Sequence, residues 1–204
     1  MAKIKRTKNE LKKQKDDLKR FTRFLPMLEL KKLQLLQEIH KIQNDIVKIQ
    51  GEIEWVEKEV NQWVDVFADD IDLSNFIKVK EIATEPGNVA GIAIPLFREV
   101  IFEDIAWDFF KTPLWIDKGI AVCKEQIIRN AERQIAERQQ EILQEELRVT
   151  VQRIKLFEEF KIPETKESIR IIQIFLGDQQ TAEVVRGKIA KKKIQARRQQ
   201  AGWA

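Results

Sequence analysis

Residues 35–56 read LLQEIHKIQNDIVKIQGEIEWV. Apolar side chains recur in this stretch at Leu35, Ile39, Ile42, Ile46, Ile49, Ile53 and Val56, in alternating steps of four and three. That spacing is a double heptad track, the pattern of a helix that buries one narrow seam against another helix. Outward from this stretch, one track runs back through Lys32, Leu25 and Leu18 to Leu11 and forward to Val60 and Phe67. The other begins at Phe21 and Leu28 and ends at Val56 and Trp63. The seam predicts a helix from about Lys8 to Asp70, roughly 95 Å long at ~1.5 Å per residue. Pro26 removes one backbone donor and costs a helix interior about 3 kcal/mol. The seam passes it in register at Leu25 and Leu28, which predicts a kink and not a chain reversal.

A second stripe follows residue 120. A helix starting near Asp117 carries Ile128, Ala131, Ile135, Ile142, Val149 and Leu156, flanked by Leu143, Leu147 and Ile154. Ile162-Pro163 is expected to break or kink it, and a final segment from about Glu164 to Gln200 carries Ile172, Phe175, Ala182, Val185 and Ile189. Gln14 and Lys32 place polar groups on the first seam, with Gln179 and Lys193 opposite, and such positions often fix register. Between the helices lies an island from about Ile71 to Asp117. Phe76 to Ile82 alternates with period two, Pro86-Gly87-Asn88 has turn chemistry, and Val89 to Ile94 is again strand-like, closed by Pro95. This predicts a hairpin, with a short helix around Phe97–Phe110. A lone hairpin is marginal in water, and Trp107, Phe109, Phe110 and Trp115 are the expected cover. The fold class is mainly α: a long antiparallel coiled coil of N- and C-terminal helices with a short central β-hairpin region. Its expected divisions are 1–70, 71–117 and 118–204, the last kinked near Pro163.

Charge sharpens the layout. Residues 1–25 hold ten Lys/Arg against three acids, a net +7, and seven Lys/Arg with no acid follow Glu183. Residues 52–117 hold fifteen acids against five bases, a net −10. Antiparallel helices would bring both basic ends to one tip. The single cysteine, Cys123, excludes an internal disulfide and fits a reducing compartment. No apolar run approaches the ~20 residues of a membrane span, and no signal-type stretch follows the basic start. The expectation is a cytoplasmic protein that reaches a membrane only through partners, with no direct insertion.

Catalytic constellations are missing from the sequence. His40 is the one histidine, beside seam residue Ile39, and reads as a flank. Cys123 has neither a second cysteine nor a neighbouring histidine for a zinc site or an activated thiol. Gly187-Lys188 resembles the end of a phosphate loop but lacks its first glycine and sits in a helical segment. Asp69-Asp70 and Glu158-Glu159 read as solvated faces. No cofactor or metal is implied, and the chain is not expected to be an enzyme by itself. The basic ends suit a polyanion, an anionic surface or an acidic protein socket, and charge alone does not choose. A nucleic-acid-binding coiled coil and a homodimeric structural adaptor both remain compatible with periodicity and charge.

Three further segments discriminate. Arg153-Ile154-Lys155-Leu156-Phe157-Glu158-Glu159-Phe160-Lys161-Ile162-Pro163 is similar to the helix-ending signature of the D-subunit family, the central-stalk axles of rotary V/A-type ATPases. Asn88-Val89-Ala90-Gly91-Ile92-Ala93-Ile94-Pro95 resembles that family's hairpin strand. Ala182-Glu183-Val184-Val185-Arg186, followed by Lys188, Lys191 and Lys192, resembles its ending. Arg6-Thr7-Lys8-Asn9-Glu10-Leu11 resembles its start, with arginine where the family has proline. The run Phe24-Leu25-Pro26-Met27-Leu28 replaces the family's usual glycine-containing stretch and resembles a bacterial subgroup.

The resemblance implies an axle inside a ring of catalytic and non-catalytic subunits, A and B, coupling ATP hydrolysis or synthesis to ion translocation through a membrane rotor. Arg6, Leu11, Lys12, Lys191, Lys192 and Arg197 would face the ring. Ile53, Val56, Val60, Ile128 and Ile135 would meet the small F subunit of the stalk. Trp107 and Trp115 would form a foot toward the membrane-side coupling subunit, C or d. Nucleic acid is not an implied partner.

Overall fold

The computed structural model describes residues 5–61, 76–105, 115–200 and 202. Helix α1 spans Lys8–Asn61, strands β1 and β2 span Val79–Val89 and Ile92–Phe102, and helix α2 spans Ile116–Lys155. A π-turn over Leu156–Lys161 leads directly into helix α3, Ile162–Gln200. The chain divides into two compact units, one of residues 1–29 with 152–204 and one of residues 30–151.

Both heptad tracks of α1 face inward. Every described member from Leu11 to Val60 is buried or half-buried, and the fully buried ones are Leu35, Ile39, Ile49, Ile53 and Val56. Pro26 lies inside the continuous α1.

In the unit of residues 30–151, partners on α2 descend as α1 ascends, which makes the pairing antiparallel. Lys31 Nζ meets Glu146 Oε1 at 2.6 Å, Arg133 Nη1 donates to Gln50 Oε1 at 3.4 Å, and Gln126 Nε2 donates to the Ile53 carbonyl at 3.2 Å. Arg129 Nη1 reaches Glu52 Oε2 at 2.5 Å on the same side. Charged and amide side chains thus bracket an apolar seam and hold its register.

The hairpin joins this unit. Its turn is Ala90-Gly91, not Pro86-Gly87-Asn88 as the sequence suggested. Val89 pairs with Ile92, and Ala90 and Gly91 have φ of 51° and 83°, the pair of positive values a two-residue type I′ connection requires. The Asn88 side chain accepts the Gly91 N–H at 3.0 Å and stabilises the reversal. Pro86 and Pro95 stand opposite each other within the ladder, so Pro95 does not close the strand. Neither has an N–H to give, and a two-stranded ribbon tolerates them where that N–H would point away from its partner. The expected short helix also gives way, because Phe97 to Phe102 belongs to β2. Register shifts at Lys80 and Arg98 mark bulges near the base.

Cover for the hairpin comes from the coiled coil. Ile94 packs with Leu35, Ile39 and Leu143 in one buried cluster, extended by Val89, Ala90 and Ile92. Gln139 Nε2 donates to the Pro95 carbonyl at 2.5 Å, and Lys124 Nζ sits 5.4 Å from the centre of the Phe102 ring. The two anchor points match in length. From Lys124 to Gln139 is ~22 Å of helix, and from Phe102 back to Pro95 is about 23 Å of strand. Trp107, Phe109 and Phe110 lie outside the described residues, and Trp115 is half-buried.

In the other unit, Phe21 stacks on Phe157 and Arg6 lies over Phe175, again an antiparallel order. The helix does not break at Ile162-Pro163. The Ile162 N–H bonds the Phe157 carbonyl, five residues back, so the π-turn widens the helix just before the proline that would crowd a regular turn. Buried Thr165 and Ser168 follow, and their hydroxyls donate to the Lys161 and Glu164 carbonyls at 2.6 and 2.8 Å.

Candidate interaction surfaces

Among the described residues, two surfaces carry accessible chemistry. The first belongs to the unit of residues 1–29 and 152–204. Arg6 is exposed, with its guanidinium carbon 5.3 Å from the Phe175 ring centre. That contact marks where the start of α1 meets α3. Leu11 is half-buried, and Lys12 is exposed.

Beyond Leu176, α3 has no partner among the described residues, and every residue from Gly177 to Arg198 is exposed. From Phe175 to Lys191 is a further ~24 Å of helix. The two basic ends therefore share a unit but do not coincide. The N-terminal bases flank the paired stretch, whereas Lys191, Lys192 and Arg197 lie on the unpaired extension. Gln179 and Lys193, expected opposite the first seam, are exposed for the same reason. So are Ala182, Val185 and Ile189, whose helical spacing suggested a continued seam. The extension also exposes Val184 and Ile194. An isolated helix of this length is marginal in water, and its apolar residues are covered by nothing described in the chain.

The second surface lies on residues 30–151. Of the residues expected to meet a stalk partner, Ile53 is 4% exposed and Val56 7%. Val60, Ile128 and Ile135 are half-buried. Ile53 and Val56 spend their apolar area within the unit and act as supports for whatever faces outward beside them. Outward at the same level lies a shallow groove of about 350 Å³ lined by Ile46, Val47, Gln50, Gly51, Glu54, Arg133 and Glu137. Val47 and Trp55 stand one turn to either side of Gly51, each 66% exposed. Heptad periodicity does not single out this trio, because it is off the seam. Its signals in the sequence are a glycine inside a strong helical pattern and the tryptophan Trp55, an aromatic of the kind that anchors interfaces.

The remaining candidates are quickly placed. Trp107 lies outside the described residues, and Trp115 is half-buried beside the fully buried Ile116. His40 is exposed, and Gly187-Lys188 is helical and exposed. Burial pushes the thiol of half-buried Cys123 up from its ordinary range. Among the described residues no His, Cys, Asp or Glu side chains gather in a group of three that could hold a metal, and no helix is long and apolar enough to cross a membrane.

The family model for the ATP synthase D subunit matches residues 10–192. A V-type ATP synthase D subunit of Borreliella burgdorferi is 46% identical over 194 residues, covering 95% of this chain and 96% of the relative. The proteins of the same description from Chlamydia caviae and Chlamydia muridarum are each 32% identical. The first match covers 100% of this chain and 99% of the relative, the second 95% and 97%.

Proposed function

The chain belongs to the family of ATP synthase D subunits, and from that premise we propose that it is the central-stalk rotor subunit of a V-type ATP synthase. It couples ATP hydrolysis or synthesis in a catalytic hexamer to ion translocation through the membrane rotor. The observation that carries this reading is the exposed, unpaired helix of residues 177–198, basic after Glu183 and studded with Val184, Val185, Ile189 and Ile194. A helix so built needs surroundings that the described residues of its own chain do not supply, and a protein sleeve formed by the A and B subunits would supply them.

Arg6, Lys12, Lys191, Lys192 and Arg197 would meet the sleeve as exposed charges. Each such pair contributes only about 0–1 kcal/mol, so contacts can be exchanged as the axle turns. Nucleotide state then selects the axle angle, because each angle offers a different set of contacts and the ligand shifts the population accordingly. The chain itself performs none of the phosphate chemistry. Residues 30–151 would bind the F subunit of the stalk and, through a foot that includes Trp107 and Trp115, the membrane-side coupling subunit. Attachment to the membrane would come through those partners.

The test is co-expression of the full chain, and of a chain ending at Gly177, with the ring subunits, followed by size-exclusion with mass determination. The full chain is expected to be recovered at one copy per ring of six with raised ATPase turnover, and the shortened chain to lose that stimulation. A free homodimer that ignores the ring would contradict the reading.

A further inference from the structure

We propose that the groove beside Gly51 seats a helix of a partner subunit that carries lysine or arginine and sets a small residue over the glycine. Gly51 lies in the interior of α1, where glycine costs about 1 kcal/mol relative to alanine. A Cβ there would meet nothing within 4 Å. Nothing described within the chain therefore requires the glycine. A second helix laid over this point would, since the distance between packed axes depends on the side chains between them.

The flanks fit the same occupant. Trp55 is more exposed than any other aromatic among the described residues, and Val47 stands two turns before it on the same face. Carboxylates outnumber bases around it: Glu54 and Glu137 border the groove with Arg133, which lies 3.7 Å from Glu137, and residues 52–59 hold four acids against the single base Lys58. Glu52 is engaged by Arg129, whereas Glu57 and Glu59 face solvent. A cation beside Glu54 finds opposite charge, and one lying over Trp55 gains the attraction of the ring face. Exposed tryptophan at the edge of a groove is also the side chain that most often anchors an interface. An acidic helix would meet a rim with one more acid than base, and a purely apolar one would gain neither attraction.

The inference rests on the reading that residues 30–151 bind the small stalk partner, and its test separates the two. The full chain and the variants Gly51→Leu, Trp55→Ala and Gly177→Leu are titrated with the purified F subunit by calorimetry at low and high salt. Gly51→Leu and Gly177→Leu both raise helix propensity and both meet open space, so neither is expected to unfold the chain. Gly51→Leu and Trp55→Ala should each weaken binding by roughly 30-fold, the scale of a hot-spot loss. Gly177→Leu should match the parent, and salt should weaken the parent complex. Parent binding with unaltered affinity in Gly51→Leu and Trp55→Ala would overturn the groove alone. Failure of the parent to bind would overturn the stalk-partner reading and the groove with it.

Discussion

Phe21 and Phe157 stack with ring centres 5.3 Å apart and planes tilted by 31°. Phe157 is also the residue whose carbonyl accepts the wide π-turn bond from Ile162. One aromatic pair therefore joins α1 to the point where the opposite helix changes its pitch. Phe157→Ala should lower the stability of the paired stretch by about 2 kcal/mol, less than the loss at a fully buried phenylalanine. Phe21→Ala should do nearly the same, and the double variant should fall short of the sum by about 0.5–1.5 kcal/mol. Hydrogen exchange in residues 8–29 measures the effect, and unchanged protection would refute it.

The π-turn accommodates one residue too many for the seam. Steps of seven from Leu143 through Thr150 and Phe157 lead to 164 and 171, but the buried residues are Thr165 and Ile172. The turn absorbs the extra residue and brings the stripe back into phase. Deleting exposed Glu159 together with Pro163→Ala should give an unbroken α-helix with the same residues buried and a higher melting temperature by circular dichroism. A lower melting temperature would show that the wide turn serves the packing in some other way.

Leu96 crosses Gly87 so closely that a Cβ on the glycine would stand 2.7 Å from the leucine Cγ. Gly87→Ala should cost about 1–3 kcal/mol through overpacking, and adding Leu96→Ala should recover most of it. Hydrogen exchange along β1 and β2 reads both changes.

Cys123 gives a pH prediction. Burial raises its thiol, so the folded state favours the neutral form. That contribution is fully present below the ordinary thiol value of about 8.5 and is lost as pH rises through the folded value. Iodoacetamide should therefore modify the folded chain more slowly than the urea-unfolded chain near pH 8.5, with the gap narrowing at higher pH. Equal rates near pH 8.5 would contradict this account.

Much of the fold was legible because one periodic signal dominates. The two tracks of α1 predicted its buried face down to Val60. The hairpin was legible as a hairpin, but its turn was not: Pro86-Gly87-Asn88 has stronger turn chemistry than Ala90-Gly91. The chain settles on Ala90-Gly91 because that register buries Ile94 against Leu35, Ile39 and Leu143. Local propensity had no view of that long-range packing. The π-turn was hidden because a one-residue phase shift disappears within the ordinary scatter of a heptad pattern. For the candidate site, periodicity located Ile53 and Val56 but could not separate a buried seam from a partner face. It likewise extended the stripe through Ala182, Val185 and Ile189, past the point where α1 ends and leaves α3 uncovered.

As proposed above, this chain turns within a ring that hydrolyses ATP. The direct measurement is single-molecule rotation: a Lys80→Cys, Cys123→Ser variant, assembled with the ring subunits and immobilised through the ring, carries a bead on exposed β1. The account predicts unidirectional rotation on adding ATP, stopping when ATP is removed. A bead that stays still, or only diffuses, while the same complexes turn over ATP would contradict it.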